Sequence, residues 1–205
     1  MAINFKIITV TVLVYTVTVF ANCKKHVLGC PESSYSFIID AQVLPDKDTI
    51  SIGDTVWVEI NSSDVFTDQN SSRQVNFSDA ANLGTDMGFA RLVSTSPVQL
   101  ANAVNDFDYI LLAGKEIASA NPTLIKMFLI SDINGMYRFK LGIIAKNRGT
   151  YRFNLGNAVG VYRKGDPCPK ADFEMRLVQT DQHYYLYPGG TGVTPSGADY
   201  YFYVK

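Results

Sequence analysis

The chain has 205 residues, 47% of them hydrophobic and 18% charged, too apolar and too charge-poor for a disordered segment. Its 18 basic residues stand against 19 acidic ones, a formal net charge of −1 with no basic block, which argues against nucleic acid as a partner. Tyr and Phe number 12 each, a bias that favours strands over helices.

The first element is an address. Lys6 precedes Ile7 to Ala21, which carry no charge, and residues 1–22 read as an export signal. The alternation of Thr and Val inside it mimics a strand, but nothing offers that strand a partner. A spanning helix is the competitor. The 17 uncharged residues between Lys6 and Lys24 sit at the short limit for a bilayer of about 30 Å, and four of them are Thr. Val19-Phe20-Ala21-Asn22-Cys23 resembles a bacterial lipobox, in which the cysteine becomes the lipidated first residue. Asn22 and Phe20 depart from that pattern, and ordinary cleavage after Ala21 is the rival. Parity favours lipidation. The chain has three cysteines, and a lipid on Cys23 leaves Cys30 and Cys168 as an even pair for a disulfide. Residues 23–34 then form a polar tether, and 35–205 a single domain.

Along that domain, Tyr35 to Leu44 alternates strictly and predicts a strand with Phe37, Ile39, Ala41 and Val43 on one face. Pro45 to Asp48 is a turn, Thr49 to Ile52 a short strand, and Gly53-Asp54 a second turn. Thr55 to Ile60 alternates again, with Val56, Val58 and Ile60 opposite Trp57. Asn61 to Arg73 reads as a polar loop and Val75 to Phe77 as a brief strand. The pattern weakens from Ser78 to Asn121, where an elaborated insertion is expected. Within it, Asp79 to Asn82 are consistent with a helical turn, and Gly88 to Val93 and Phe107 to Leu112 with strands. Leu124 to Ile130 and Met136 to Ala145 flank Asn134-Gly135, a strong hairpin signal. Thr150 to Leu155, Asp172 to Val178, Gln182 to Tyr187 and Asp199 to Val204 complete about ten strands. The expected class is all-β: an antiparallel, immunoglobulin-like β-sandwich.

Two segments carry a family resemblance. Ser51 to Glu59, with Gly53-Asp54-Thr55-Val56-Trp57, resembles the opening of bacterial immunoglobulin-like domains, and Arg148 to Phe153 their late Gly-Thr-Tyr strand. Together with Cys23-Lys24-Lys25, Gly156 to Arg163 and Thr180 to His183, they make the chain similar to uncharacterised Bacteroidota envelope lipoproteins. The resemblance implies an immunoglobulin-like sandwich on the outer membrane. That group has no assigned activity, so no functional residue carries over. In it, an acidic run after the cysteine marks export to the cell surface. The run is absent here, which implies a periplasm-facing position.

Chemistry-bearing motifs are sparse. The chain lacks the nucleophile elbow Gly-x-Ser-x-Gly, the zinc motif His-Glu-x-x-His and a phosphate-cradling glycine loop. It has two histidines. His26 lies in the tether, which leaves His183, with Asp181 two residues away on the expected strand face, for acid–base work. The preferred reading is a hydrogen-bonded strand-end histidine, because no nucleophile is placed beside it. Asp106 with Asp108, and Asp64 with Asp68, are candidate carboxylate pairs for a glycan hydrolase or oxygen ligands for calcium, weighed against ordinary solvated loop charges. The aromatic clusters stand out most. Tyr184, Tyr185 and Tyr187, followed across a Gly/Pro loop by Tyr201 and Tyr203, offer either cross-strand core pairs or an exposed platform for a glycan or protein partner. The expectation is a non-enzymatic binding or structural module without cofactor or metal, attached to the membrane through Cys23. A carbohydrate-binding module and a glycan hydrolase are the alternatives.

Overall fold

The structure is a computed structural model that describes residues 34–95, 98–179, 182–187 and 196–205. The export signal, the tether with Cys23, His26 and Cys30, and Asp181 lie outside the described residues. Sixteen strands run in order through the described residues: β1 (Tyr35–Leu44), β2 (Thr49–Ile50), β3 (Thr55–Ser63), β4 (Val65–Thr67), β5 (Gln74–Asn76), β6 (Gly84–Thr95), β7 (Val98–Asn102), β8 (Phe107–Ala113), β9 (Lys115–Ile117), β10 (Ile125–Leu129), β11 (Ser131–Ile133), β12 (Met136–Ala145), β13 (Gly149–Leu155), β14 (Ala158–Arg163), β15 (Asp166–Leu177) and β16 (Asp199–Val204). They form two seven-stranded sheets and a two-stranded ribbon, β4–β5. The molecule is a β-sandwich.

The first sheet runs β11-β12-β3-β1-β15-β14, with β8 beside β11 on the same edge of β12. The second runs β2-β16-β13-β6-β10-β9, with β7 sharing the edge of β6 with β10. Most pairs are antiparallel. Two are parallel: β1 with β15, where Tyr35 faces Ala171, and β16 with β2, where Tyr203 faces Thr49.

Strict alternation explains why β1, β3 and β12 are strands. Phe37, Ile39, Ala41, Val43, Val56, Val58 and Ile60 are all buried, while the intervening positions face outward. Between the layers, Phe89 of β6 meets Phe107 of β8 at 5.4 Å, Tyr151 of β13 meets the same ring at 4.9 Å, and Phe128 of β10 meets Phe139 of β12 at 5.4 Å. A second aromatic cluster, Phe37, Phe66, Phe77 and Phe173, closes the core beneath the β4–β5 ribbon. Offset and edge-on ring pairs of this kind contribute about 0.5–1.5 kcal/mol each beyond the area they bury.

Several expectations are corrected. Asn61 to Arg73 is not all loop, because β3 continues to Ser63, β4 follows, and Phe66 and Asp68 are buried. Asp79 to Asn82 form no helical turn. Asp79 takes a left-handed φ of 56° and Ala80 bridges to Arg163. The middle segment is integral, since β6 lies inside the second sheet between β13 and β10. β15 starts at Asp166, six residues before Asp172, and Gln182 to Tyr187 is not a strand but a loop with a short 3-10 turn at Tyr184–Leu186. The Asn134-Gly135 hairpin forms as read, with φ of 54° and 76°, the pair of positive angles a type I′ turn requires.

Candidate functional site

The tyrosines do not form a hairpin platform. His183 takes a left-handed φ of 59° and launches the 3-10 turn, which lays its rings across β16. Tyr201 is 2% exposed and is covered by Tyr184 and Tyr187, each with its ring centre 5.6 Å away and inclined by 74° and 55°. It is therefore a core residue, and burial, then the charge of Asp199, raises its phenol pKa. Tyr185 stays exposed but hydrogen-bonds Asp48, which holds that carboxyl below its ordinary range. The neighbouring Tyr200 donates to Asp46 at 2.9 Å. Tyr203 is exposed on β16 and is out of line with the turn's rings, because its cross-strand neighbours are Thr150 and Thr49. Tyr185 and Tyr200 staple the Asp46–Asp48 corner to the turn and to β16.

His183 is 7% exposed rather than at a strand end. Its Nδ1 lies 3.1 Å from the Tyr201 carbonyl oxygen and its Nε2 3.7 Å from Asp46. Among the described residues, Asp46, from a distant loop, is placed to orient it.

The carboxylate pairs are used structurally. Asp106 contacts Arg91 at 3.2 Å and accepts hydrogen bonds from Tyr151 and Asn147. Burial and the bond to Asp106 push the Tyr151 phenol up to about 12. Asp108 pairs with Lys146 at 3.0 Å. Asp68 is buried and accepts from the Ser36, Asn70 and Ser71 amides and the Ser71 hydroxyl, which hold its carboxyl below the usual range, the Ser36 amide foremost. Asp64 accepts from Asn76. Among the described residues no group of three His, Cys, Asp or Glu side chains is placed to hold a metal ion. Cys168 is half-buried on β15.

The structure instead offers a cleft that the sequence reading did not single out. It measures about 230 Å³ and opens where β6, β9 and β10 meet the segment entering β14. Its walls are Ile117 of β9, Ile125, Met127 and Leu129 of β10, and Val159 of β14, which is 73% exposed. Gly84 lies on its floor, and no side chain fits there: a Cβ would fall 2.3 Å from the Phe128 carbonyl oxygen. Four polar residues, Asn82, Thr85, Asp86 and Asn157, also line it, and the Thr85 hydroxyl already donates to the Gly156 carbonyl oxygen at 2.9 Å. The two amides are oriented by their own contacts. The Asn82 oxygen accepts from the Tyr162 amide at 3.2 Å and the Asn157 oxygen from the Met175 amide at 2.9 Å. Both Nδ2 groups are left as donors. The Asp86 carboxylate leans over Gly156, where a Cβ would come within 1.6 Å of its Oδ1. Among the described residues no cation pairs with it. An apolar concavity with a few polar groups converging on it is the usual form of a binding site. Two signals for it stand in the sequence: the Gly84-x-Asp86 spacing, and Gly156 to Val159 inside a segment that carries the family resemblance.

No family model matches the chain, and no curated protein matches it. Three solved chains do. The chain is similar to the reeler domain of human F-spondin (7% identity over 89% of this chain and all of that one, TM-score 0.41). It is also similar to a type II cohesin domain from the cellulosome of Acetivibrio cellulolyticus (9% identity, 69% and 92% covered, TM-score 0.31). The third is the serine-rich repeat adhesion glycoprotein of Streptococcus agalactiae (10% identity, 66% and 44% covered, TM-score 0.22). Likenesses this distant carry no argument about activity or partner.

Proposed function

We propose that the chain is an exported, non-catalytic binding module, held on the periplasmic side of a bacterial outer membrane by lipid on Cys23, and that the cleft between β10 and the entry to β14 is its binding site. The observation that carries this reading is the cleft itself: an apolar concavity with two amide donors and a carboxylate that the fold does not use. The engagement of Asp64, Asp68, Asp106 and Asp108 in hydrogen bonds and ion pairs supports a non-catalytic role. A disulfide between Cys168, half-buried on β15, and Cys30 belongs to the same proposal and leaves Cys23 for lipid.

Two experiments test this. A photoreactive residue replacing Val159 in intact cells should give one discrete adduct, and the same residue replacing Leu112, 61% exposed on β8, should not. Matching patterns, or none, would remove the cleft as the binding site. Cys23→Ser should move the protein from the membrane to the soluble fraction. If the wild type is itself recovered soluble and starting at Asn22, ordinary cleavage after Ala21 is correct and the anchor is wrong.

A further inference from the structure

The shape and charge of the cleft select its occupant. At about 230 Å³ it is smaller than the roughly 300–1,000 Å³ of pockets that enclose a drug-sized ligand. It has room for one protruding side chain, not for a row of sugar rings. Its lining includes no tyrosine or tryptophan on which a sugar could stack. Its walls are aliphatic, Ile117, Ile125, Met127, Leu129 and Val159, and suit a methylene stem.

The polar groups complete the selection. Among the described residues, no cation and no hydrogen-bond donor is placed on the Asp86 carboxylate at the wall. It asks for a cation. The Asn82 and Asn157 amides, with their oxygens already occupied, ask for acceptors. A lysine or arginine residue supplies all three requirements: an apolar stem, a cationic head, and backbone carbonyls on either side of the stem. We infer that the cleft receives a lysine or arginine side chain from an extended segment of a protein partner, with the head on Asp86 and the flanking carbonyls on Asn82 and Asn157. The inference rests on reading the cleft as the binding site.

The test uses the whole chain in detergent micelles with labelled Ile, Leu and Met methyl groups. The probes are N-acetyl-lysine-N-methylamide, its uncharged norleucine counterpart, and a trisaccharide. The lysine probe should give saturable shifts at the Ile117, Ile125 and Met127 methyls. The norleucine probe should bind about tenfold more weakly, the loss expected for one charge-assisted contact. Asp86→Asn, which removes no hydrogen bond of the fold, should bring the lysine probe down to the norleucine level with an unchanged unfolding midpoint. Gly156→Ala, which displaces the carboxylate sterically, should do the same while Asp86 is retained. Equal binding of lysine and norleucine probes, or tighter binding of the trisaccharide, overturns the cationic occupant and leaves the cleft as a site. Silence of the cleft methyls toward every probe overturns both.

Discussion

Single side chains in this molecule are fixed by the absence of others. Trp57, the one tryptophan of the chain, lies across Gly142 on the neighbouring strand, where a Cβ would come within 2.8 Å of the ring. Lys140 covers the indole at 5.0 Å and is itself held by Glu59 at 2.6 Å. Gly142→Ala therefore has no free space to enter. It should lift the indole, cost about 1–3 kcal/mol as overpacking does, and red-shift the fluorescence of the single tryptophan. Urea unfolding followed by that fluorescence reads both effects. Gly156 plays the same part beneath Asp86, so two glycines outside any turn define where the outward-facing side chains lie.

Among the elements, the 3-10 turn and β16 separate two roles that the sequence merged. Tyr201→Ala removes a buried ring and should destabilise by about 3–5 kcal/mol. Tyr185→Ala removes an exposed ring together with its hydrogen bond to Asp48 and should cost about 0.5–1.5 kcal/mol, read from the urea midpoint. Equal costs would mean that the turn's rings are core after all. The strands that were legible, β1, β3 and β12, have an unbroken apolar face. β6 was seen only in its middle because Gly84, Asp86 and Gly88 hide its alternation. Gly84 and Asp86 also shape the cleft, so one feature concealed both the strand and the site. β14 escaped because Gly160, at φ 66°, bulges its ladder. The tyrosine segment misled for the opposite reason. Its composition is that of a strand, yet the left-handed His183 rotates the chain off the sheet, and nothing in a Gln-His-Tyr-Tyr string announces that angle.

At the scale of the whole molecule, buried phenols set an alkaline limit. Tyr109, Tyr137, Tyr151, Tyr200 and Tyr201 all have pKa values raised, with burial the leading cause in each. A phenol whose pKa is higher in the folded than in the unfolded state adds stability that is complete below the unfolded value near 10, roughly, and is lost as pH rises through the folded one. For Tyr151 that folded value is about 12. The urea midpoint should thus hold to about pH 10 and fall from there towards pH 12, with tyrosinate absorbance from the buried rings appearing only as the protein unfolds. Ready titration of every tyrosine at pH 10 without unfolding would contradict the burial that raises these five phenols.

The two parallel pairs also bear on how the molecule comes to exist. β1 sits between β3 and β15, and β2 pairs only with β16 among the described strands. Each N-terminal strand therefore lacks a neighbour until a segment about 130 residues or more downstream has arrived. Local hairpins such as β11–β12 form without that delay, but the first sheet is not complete until β15 is present and the second not until β16 is. Folding of such non-local pairings runs on the millisecond-to-second scale. Until β16 docks, the second sheet stands with the edge of β13 open and β2 without its partner, so the chain must be kept from pairing with itself or its neighbours until then.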